Sequence, residues 1–204
     1  MHSYVSLTIS DLWIERDERD LCKGLSFEVH SGDVLRVLGE NGAGKSSLLK
    51  VIAGVITPLE GQIHYSGRDV TQDRSLLQEN ALYIGHFAGV KRLLTVEENL
   101  RWYCPTVLSS ELECTLTHLG LLSFLDSPVQ TLSAGQVRRV ALARLWLSKK
   151  ALWLLDEPFA SLDDKGIVIL EDHIRQHVSL GGLVVLTTHQ NMRSISSRDV
   201  VLSL

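Results

Sequence analysis

The chain has 204 residues, with 20 Lys and Arg against 24 Asp and Glu for a formal net charge of -4, and 45% of its residues are hydrophobic. That length builds a sizeable core, the mild acidity without a basic stripe argues against a nucleic-acid partner, and no apolar run approaches the roughly 20 residues that cross a bilayer. Cys22, Cys104 and Cys114 lack ligand spacing and fit reduced thiols, and Met1-His2-Ser3-Tyr4 has no signal-peptide pattern. The chain is therefore expected in the cytoplasm, with no direct membrane insertion.

From the N-terminus, Val5, Leu7 and Ile9 alternate, as do Leu25, Phe27 and Val29 beyond the charged residues Glu15–Asp20, which read as a turn. This predicts a hairpin in an antiparallel sheet. Val34–Leu38 reads as a buried strand and Ser47–Ala53 as a helix stopped by Gly54. Between them, Gly39-Glu40-Asn41-Gly42-Ala43-Gly44-Lys45-Ser46 matches the phosphate-binding pattern G-x-x-x-x-G-K-[ST] at every fixed position. Its glycines let backbone N–H groups turn toward a polyphosphate, and the helix N-terminus that follows adds partial positive charge. Lys45 is placed to neutralise terminal phosphates and Ser46 to hold Mg²⁺, with Ser47 next in the same turn.

Ile63-His64-Tyr65 predicts a short strand, and residues 95–124 are helical in character with breaks at Pro105 and Gly120. Cys104-Pro105 is a dipeptide sometimes found where a thiolate ligates haem iron, and on its own it reads as an ordinary cysteine before a turn. A helix over Gly135–Leu147 precedes a strand at Leu152–Leu155. A further helix over Asp164–Val178 carries the stripe Ile167, Leu170, Ile174 and Val178, and Gly181-Gly182 leads into the strand Leu183–Thr187, soon after which the chain ends. Strand–helix alternation after a phosphate loop predicts an α/β fold with a mostly parallel sheet.

Three further groups carry chemistry. Asp156-Glu157 ends an apolar strand, where such sheets bind ligands; Asp156 suits Mg²⁺ and Glu157 suits a general base for an attacking water. Ser133-Ala134-Gly135-Gln136 opens a helix with a credible N-cap and small residues that leave N–H groups open to an anion. One chain cannot easily bring that helix end to a nucleotide already held by its own Lys45, so the pattern makes sense if two chains face each other. Ser161-Leu162-Asp163 is then placed to touch the partner chain, and His189, at the end of the last parallel strand, to contact a terminal phosphate and hold water in line.

Taken in this order and spacing, these motifs resemble the nucleotide-binding domains of ABC transporters over essentially the whole chain, 1–204. The resemblance implies a P-loop NTPase fold with a parallel core sheet, an antiparallel β subdomain and a helical subdomain at about 87–150. It also implies ATP and Mg²⁺ as cofactors and a head-to-tail homodimer in which Ser133, Ala134, Gly135 and Gln136 of one chain complete the site of the other, with Asp163 in the loop that crosses between them. The stretch Leu132–Leu147, Ala134 within it, Tyr83-Ile84-Gly85-His86 and Thr187-Thr188-His189-Gln190 resemble the ATP-binding subunits of bacterial cytochrome c maturation systems. That implies integral membrane permease subunits as partners and a peripheral position on the cytoplasmic face of the inner membrane. Such ATPases have been linked to haem export and to release of a haem-carrying chaperone.

Two positions depart from the general pattern. By ungapped spacing, His86 stands where a glutamine usually senses Mg²⁺, and Arg16 where an aromatic usually stacks on adenine. Histidine can still hydrogen-bond and a guanidinium plane can stack. Three other readings stay open from residues alone: another small-molecule exporter, a soluble ATPase acting on nucleic acid or ribosomes, and a nucleotide binder without turnover.

Overall fold

The structure is a computed structural model that describes residues 5–202 except 88, 191 and 193. The chain divides into two compact units, one formed by residues 1–86, 150–158 and 171–204 and the other by 87–149 and 159–170.

The first unit holds two sheets and the helices α1 (Lys45–Ile52) and α2 (Ser75–Asn80). β1 (Ser6–Arg16) and β2 (Arg19–His30) form an antiparallel hairpin, and β4 (Glu60–Tyr65) and β5 (Arg68–Asp69) complete a four-stranded sheet ordered β2-β1-β4-β5. The charged stretch expected as a turn is mostly strand: Glu15 pairs with Asp20 and Arg16 with Arg19, leaving only Asp17 and Glu18 to turn, both with positive φ. Two-residue turns of that handedness match the twist of paired strands. The second sheet is wholly parallel, ordered β6-β7-β8-β3-β9, from β3 (Val34–Leu38), β6 (Ala81–Ile84), β7 (Leu152–Asp156), β8 (Leu183–Thr187) and β9 (Arg198–Val201). Every residue of β7 and β8 is buried, which accounts for their unbroken apolar runs. β9 is a strand the sequence reading did not anticipate after Leu183–Thr187. It is short and exposed, and it is tied to its neighbour by the two-pronged pair of Arg36 Nε and Nη2 with Asp199, at 2.9 and 2.8 Å. Hydrogen bonding to that guanidinium holds the Asp199 carboxyl below the usual carboxylate range. Leu7, Ile9, Ile63, Leu48, Ile52, Leu154 and Val185 share one continuous core.

On the buried side of β7, His177 from α7 (Asp164–Ser179) stacks flat on Trp153, with ring centroids 3.6 Å apart, and its Nε2 lies 3.1 Å from the Ala151 carbonyl. Burial lowers its pKa from 6.5 to about 4, against the Ala151 hydrogen bond and with help from His173. The unfolded chain therefore takes up this proton from about pH 6.5 downward while the folded chain resists until about pH 4. Stability is complete above that window and falls through it, by about 3 kcal/mol at roughly 1.4 kcal/mol per unit. Urea midpoints measured between pH 7.5 and 4.5 should drop accordingly, and His177→Phe, which keeps the stack, should flatten the drop.

The second unit is helical. It contains α3 (Val96–Tyr103), α4 (Ser109–His118), α5 (Ala134–Leu142) and α6 (Arg144–Leu147), packed around Leu100, Leu112, Leu116, Val129 and Val140. Thr95 and Glu98 form a reciprocal capping box on α3. The single helix expected over 135–147 is two, broken at Ala143. At the break Arg144 Nε donates to the Ala141 carbonyl at 2.9 Å, and the Trp146 N–H bonds the Ala143 carbonyl three residues back at 3.1 Å in place of the regular partner four back.

Candidate functional site

The phosphate loop joins β3 to α1 (Lys45–Ile52), whose N-cap is Gly44 at φ +89°. No L side chain adopts that conformation cheaply, and a Cβ at Gly44 would stand 2.8 Å from the Cβ of Leu21 on β2. Leu21 thus braces the loop from the antiparallel sheet. Lys45 folds back inside the loop, its Nζ donating to the carbonyls of Gly39 at 2.7 Å and Glu40 at 2.9 Å. Ala43 and Ser47 are buried, Gly39, Gly44, Lys45 and Ser46 half-buried, and Glu40, Asn41 and Gly42 exposed. The loop is therefore anchored on one side and open on the other.

Strand register places the acidic pair. Val37 pairs with Thr187, and Thr187 pairs with Asp156, so the three stand in one row across β3, β8 and β7. At about 4.8 Å per strand, Asp156 lies roughly 10 Å across the sheet from the strand that feeds the loop. Asp156 is 2% exposed, and Thr187 Oγ1 donates to its Oδ1 at 2.8 Å. On β6, beside β7, Tyr83 has its pKa raised to about 12 by burial and by the charge on Asp156, so it stays protonated. Glu157 turns off the strand end with φ +48°, a left-handed conformation that strains a residue with a side chain. Its N–H donates to both Thr187 Oγ1 at 2.9 Å and Thr187 O at 3.2 Å. Glu157 Oε1 lies 3.5 Å from His189 Nε2, with the histidine far more exposed than the carboxylate.

The remaining candidates of the first unit lie at its surface. Arg16 is exposed at the end of β1, where it pairs with Asp17 at 3.5 Å, and His86 is exposed just past β6.

In the second unit, Ser133 caps α5. Its hydroxyl accepts from the Gln136 N–H, and the Gln136 side chain accepts from the Ser133 N–H at 2.8 Å. Ala134 and Gly135 supply the N–H groups of the same first turn, which have no carbonyl one turn back to bond to. A Cβ at Gly135 would lie 2.9 Å from the Ser161 carbonyl, so a larger residue there would push apart the helix start and the 161–163 loop. Asp163 Oδ1 accepts from the Gly166 N–H at 3.1 Å and from Arg139 Nη2 at 3.2 Å. Arg139, Leu21 and Thr187 have no role of their own in the sequence reading, although Arg139 and Thr187 fall within quoted stretches, because each meets its partner only through tertiary contact.

Hydroxyl and carboxylate oxygens are ligands for a hard cation such as Mg²⁺, which keeps waters and takes its other ligands from substrate phosphates. Ser46 and Asp156 fit that pattern. Among the described residues no group of three or more His, Cys, Asp or Glu gathers into an all-protein metal cage.

A family model described as ABC transporter matches residues 22–160. The chain belongs to the ABC transporter family. It is 46% identical over 205 residues to the cytochrome c biogenesis ATP-binding export protein CcmA of Pseudomonas fluorescens (strain Pf0-1), spanning 98% of this chain and 97% of that one. It is 43% identical over 198 residues to the protein of the same description from Escherichia coli O157:H7, spanning 97% and 96%. A solved structure of the ATP-binding subunit of an ABC transporter superposes with a TM-score of 0.85 at 27% identity, covering 96% of this chain and 85% of that one. The parallel core sheet, the antiparallel sheet and the helical unit are the ABC form of the P-loop NTPase fold, and the chain is an ATP-binding ATPase of this type. No helix among the described residues is long and apolar enough to cross a membrane.

Proposed function

We propose that this chain is the ATP-hydrolysing subunit of an ABC complex that serves c-type cytochrome biogenesis, driving haem export or release of a haem-carrying chaperone. What supports the biogenesis assignment over another small-molecule exporter is identity of 43–46% along almost the full length to cytochrome c biogenesis ATP-binding export proteins. What supports turnover, as opposed to nucleotide binding alone, is the Glu157 carboxylate 3.5 Å from His189 Nε2 at the strand ends beside the phosphate loop.

In this reading the amides of residues 39–47 and the Lys45 ammonium bind the phosphates, and Ser46 and Asp156 hold Mg²⁺, which when bound offsets phosphate charge. Glu157 accepts the proton of the attacking water. His189, exposed at the rim, hydrogen-bonds the terminal phosphate and keeps that water in line. Arg16 would take the place of the aromatic that usually stacks on adenine, and His86 that of the glutamine that usually senses Mg²⁺. Ser133, Ala134, Gly135 and Gln136 offer a helix N-terminus to the nucleotide of a second copy of the chain, with Asp163 at the crossing. The residues form one ABC domain with the helical subdomain at about 87–150. The homodimer sits peripherally on the cytoplasmic face of a bacterial inner membrane, against integral permease subunits.

The test is Glu157→Gln in the native host, followed by staining of membranes for covalently bound haem. Loss of c-type cytochromes with b-type haem proteins retained is the expected result. Unaffected c-type cytochromes would leave an ABC ATPase with another cargo.

A further inference from the structure

Thr187 stands out from its own strand. Leu183, Val184, Val185 and Leu186 are apolar and buried, as the middle of a parallel sheet demands, yet the next residue carries a hydroxyl at 0% exposure. A buried hydroxyl without partners is costly, and this one has both. It donates to Asp156 Oδ1 at 2.8 Å and accepts from the Glu157 N–H at 2.9 Å. A hydroxyl has one proton and two lone pairs, so one oxygen serves two successive residues of the neighbouring strand. Thr188, the next residue, uses its hydroxyl differently, accepting from the Gln190 N–H at 3.0 Å within its own turn.

We propose that Thr187 is a positioning residue for the ATPase reaction, coupling the orientation of the Asp156 carboxylate to the backbone turn that presents Glu157. The proposal rests on the reading of Asp156 as the metal-binding carboxylate and Glu157 as the base. Its physical content is specific. β-Branching leaves Thr187 few side-chain rotamers, so the hydroxyl is held at one place in the row. The bond to Oδ1 then selects one carboxylate orientation in a site where water cannot easily reach. The bond from the Glu157 N–H helps stabilise a left-handed φ of +48° that would otherwise relax. Groups of this kind, one shell behind a metal ligand, commonly change metal affinity by 10-fold or more when removed.

The experiment compares Thr187→Val, Thr187→Ser, Asp156→Asn and Glu157→Gln with the parent protein. Two readouts are taken: the ratio of ATP affinity with Mg²⁺ to that with EDTA, by equilibrium binding of a fluorescent ATP analogue, and kcat against KM for ATP. Thr187→Val is expected to lower the Mg²⁺ advantage about 10-fold and to reduce kcat, while affinity in EDTA holds. Thr187→Ser, which keeps the hydroxyl, is expected to restore most of both. Urea unfolding of each variant separates these effects from loss of fold. If Val at this position prevents folding, Thr187→Ala makes the same comparison without a second buried methyl. An unchanged Mg²⁺ advantage in Thr187→Val beside impaired Asp156→Asn and Glu157→Gln overturns the proposal, as does Thr187→Ser as impaired as Thr187→Val. Parent-like behaviour of Asp156→Asn and Glu157→Gln themselves would overturn the underlying site reading instead.

Discussion

Glu157→Gln is expected to lower ATP turnover by roughly 10²- to 10⁴-fold, the range a positioned general base contributes, while leaving the folded protein as stable as before. The two halves of that result have separate causes. Glutamine matches glutamate in size, and it leaves untouched the backbone N–H that bonds Thr187 twice at 2.9 and 3.2 Å. The left-handed turn at φ +48° is therefore held as before. What disappears is an acceptor for the water's proton, because a neutral amide is a far weaker base than a carboxylate. Binding should survive, since Lys45 and the loop amides belong to other elements. With ATP bound and not consumed, the two-chain state in which each Ser133–Gln136 helix start faces the other chain's nucleotide should accumulate. Gel filtration of this variant with MgATP is expected to show a dimer. A monomer under those conditions would sink the two-chain arrangement, and turnover within a few-fold of the parent would remove Glu157 from the role of base.

The phosphate loop and the Asp156-Glu157 pair were legible because their chemistry is contiguous: a fixed spacing of glycines, lysine and serine after an apolar run, and carboxylates closing another. The parallel sheet was legible for the same reason, through the unbroken apolar runs of β7 and β8. β6 and β9 were not. Each has four residues, too few for periodicity to register, and β9 is exposed at three of its four positions. The hairpin turn was placed over six charged residues where two suffice, because charge marks solvent exposure and both strand edges and turns are exposed. The helix break at Ala143 falls among residues of good helical propensity, where the Trp146 N–H bonds three residues back, and no local pattern marks it. Leu21, Arg139 and Thr187 share a deeper cause. Leu21 and Thr187 reach the candidate site across neighbouring elements, Leu21 from a strand 23 positions before Gly44 and Thr187 from one 30 positions after Glu157. Arg139 reaches Asp163 from 24 positions away. Local pattern identifies groups that act together when they are adjacent in the chain, and tertiary pairing supplies the rest.

Lys45→Ala should weaken nucleotide binding on the order of 10- to 100-fold, the equivalent of the about 1.5–3 kcal/mol of a hydrogen bond to a charged group. The ammonium donates to the carbonyls of Gly39 and Glu40 at 2.7 and 2.9 Å, so it also ties the start of the loop to the start of α1. Alanine removes both the positive charge proposed to face polyphosphate and this internal tie. Lys45→Arg separates the two contributions. Arginine keeps the charge, but its planar guanidinium presents donors in a fixed fork where lysine offers a compact point with three, and it cannot reproduce two short bonds to carbonyls of adjacent residues from the same stem. If charge alone sets affinity, Lys45→Arg binds a fluorescent ATP analogue like the parent. If the loop must be tied as well, Lys45→Arg falls toward Lys45→Ala, and that is the expected result. Thermal unfolding without nucleotide is expected to change little in either variant, since Lys45 is half-buried and the core beneath it, Leu48, Leu49 and Ile52, is undisturbed. Parent-like affinity in Lys45→Ala would mean that the loop amides and Ser46 hold the phosphates unaided, and the ammonium would then act on the loop and not on the nucleotide.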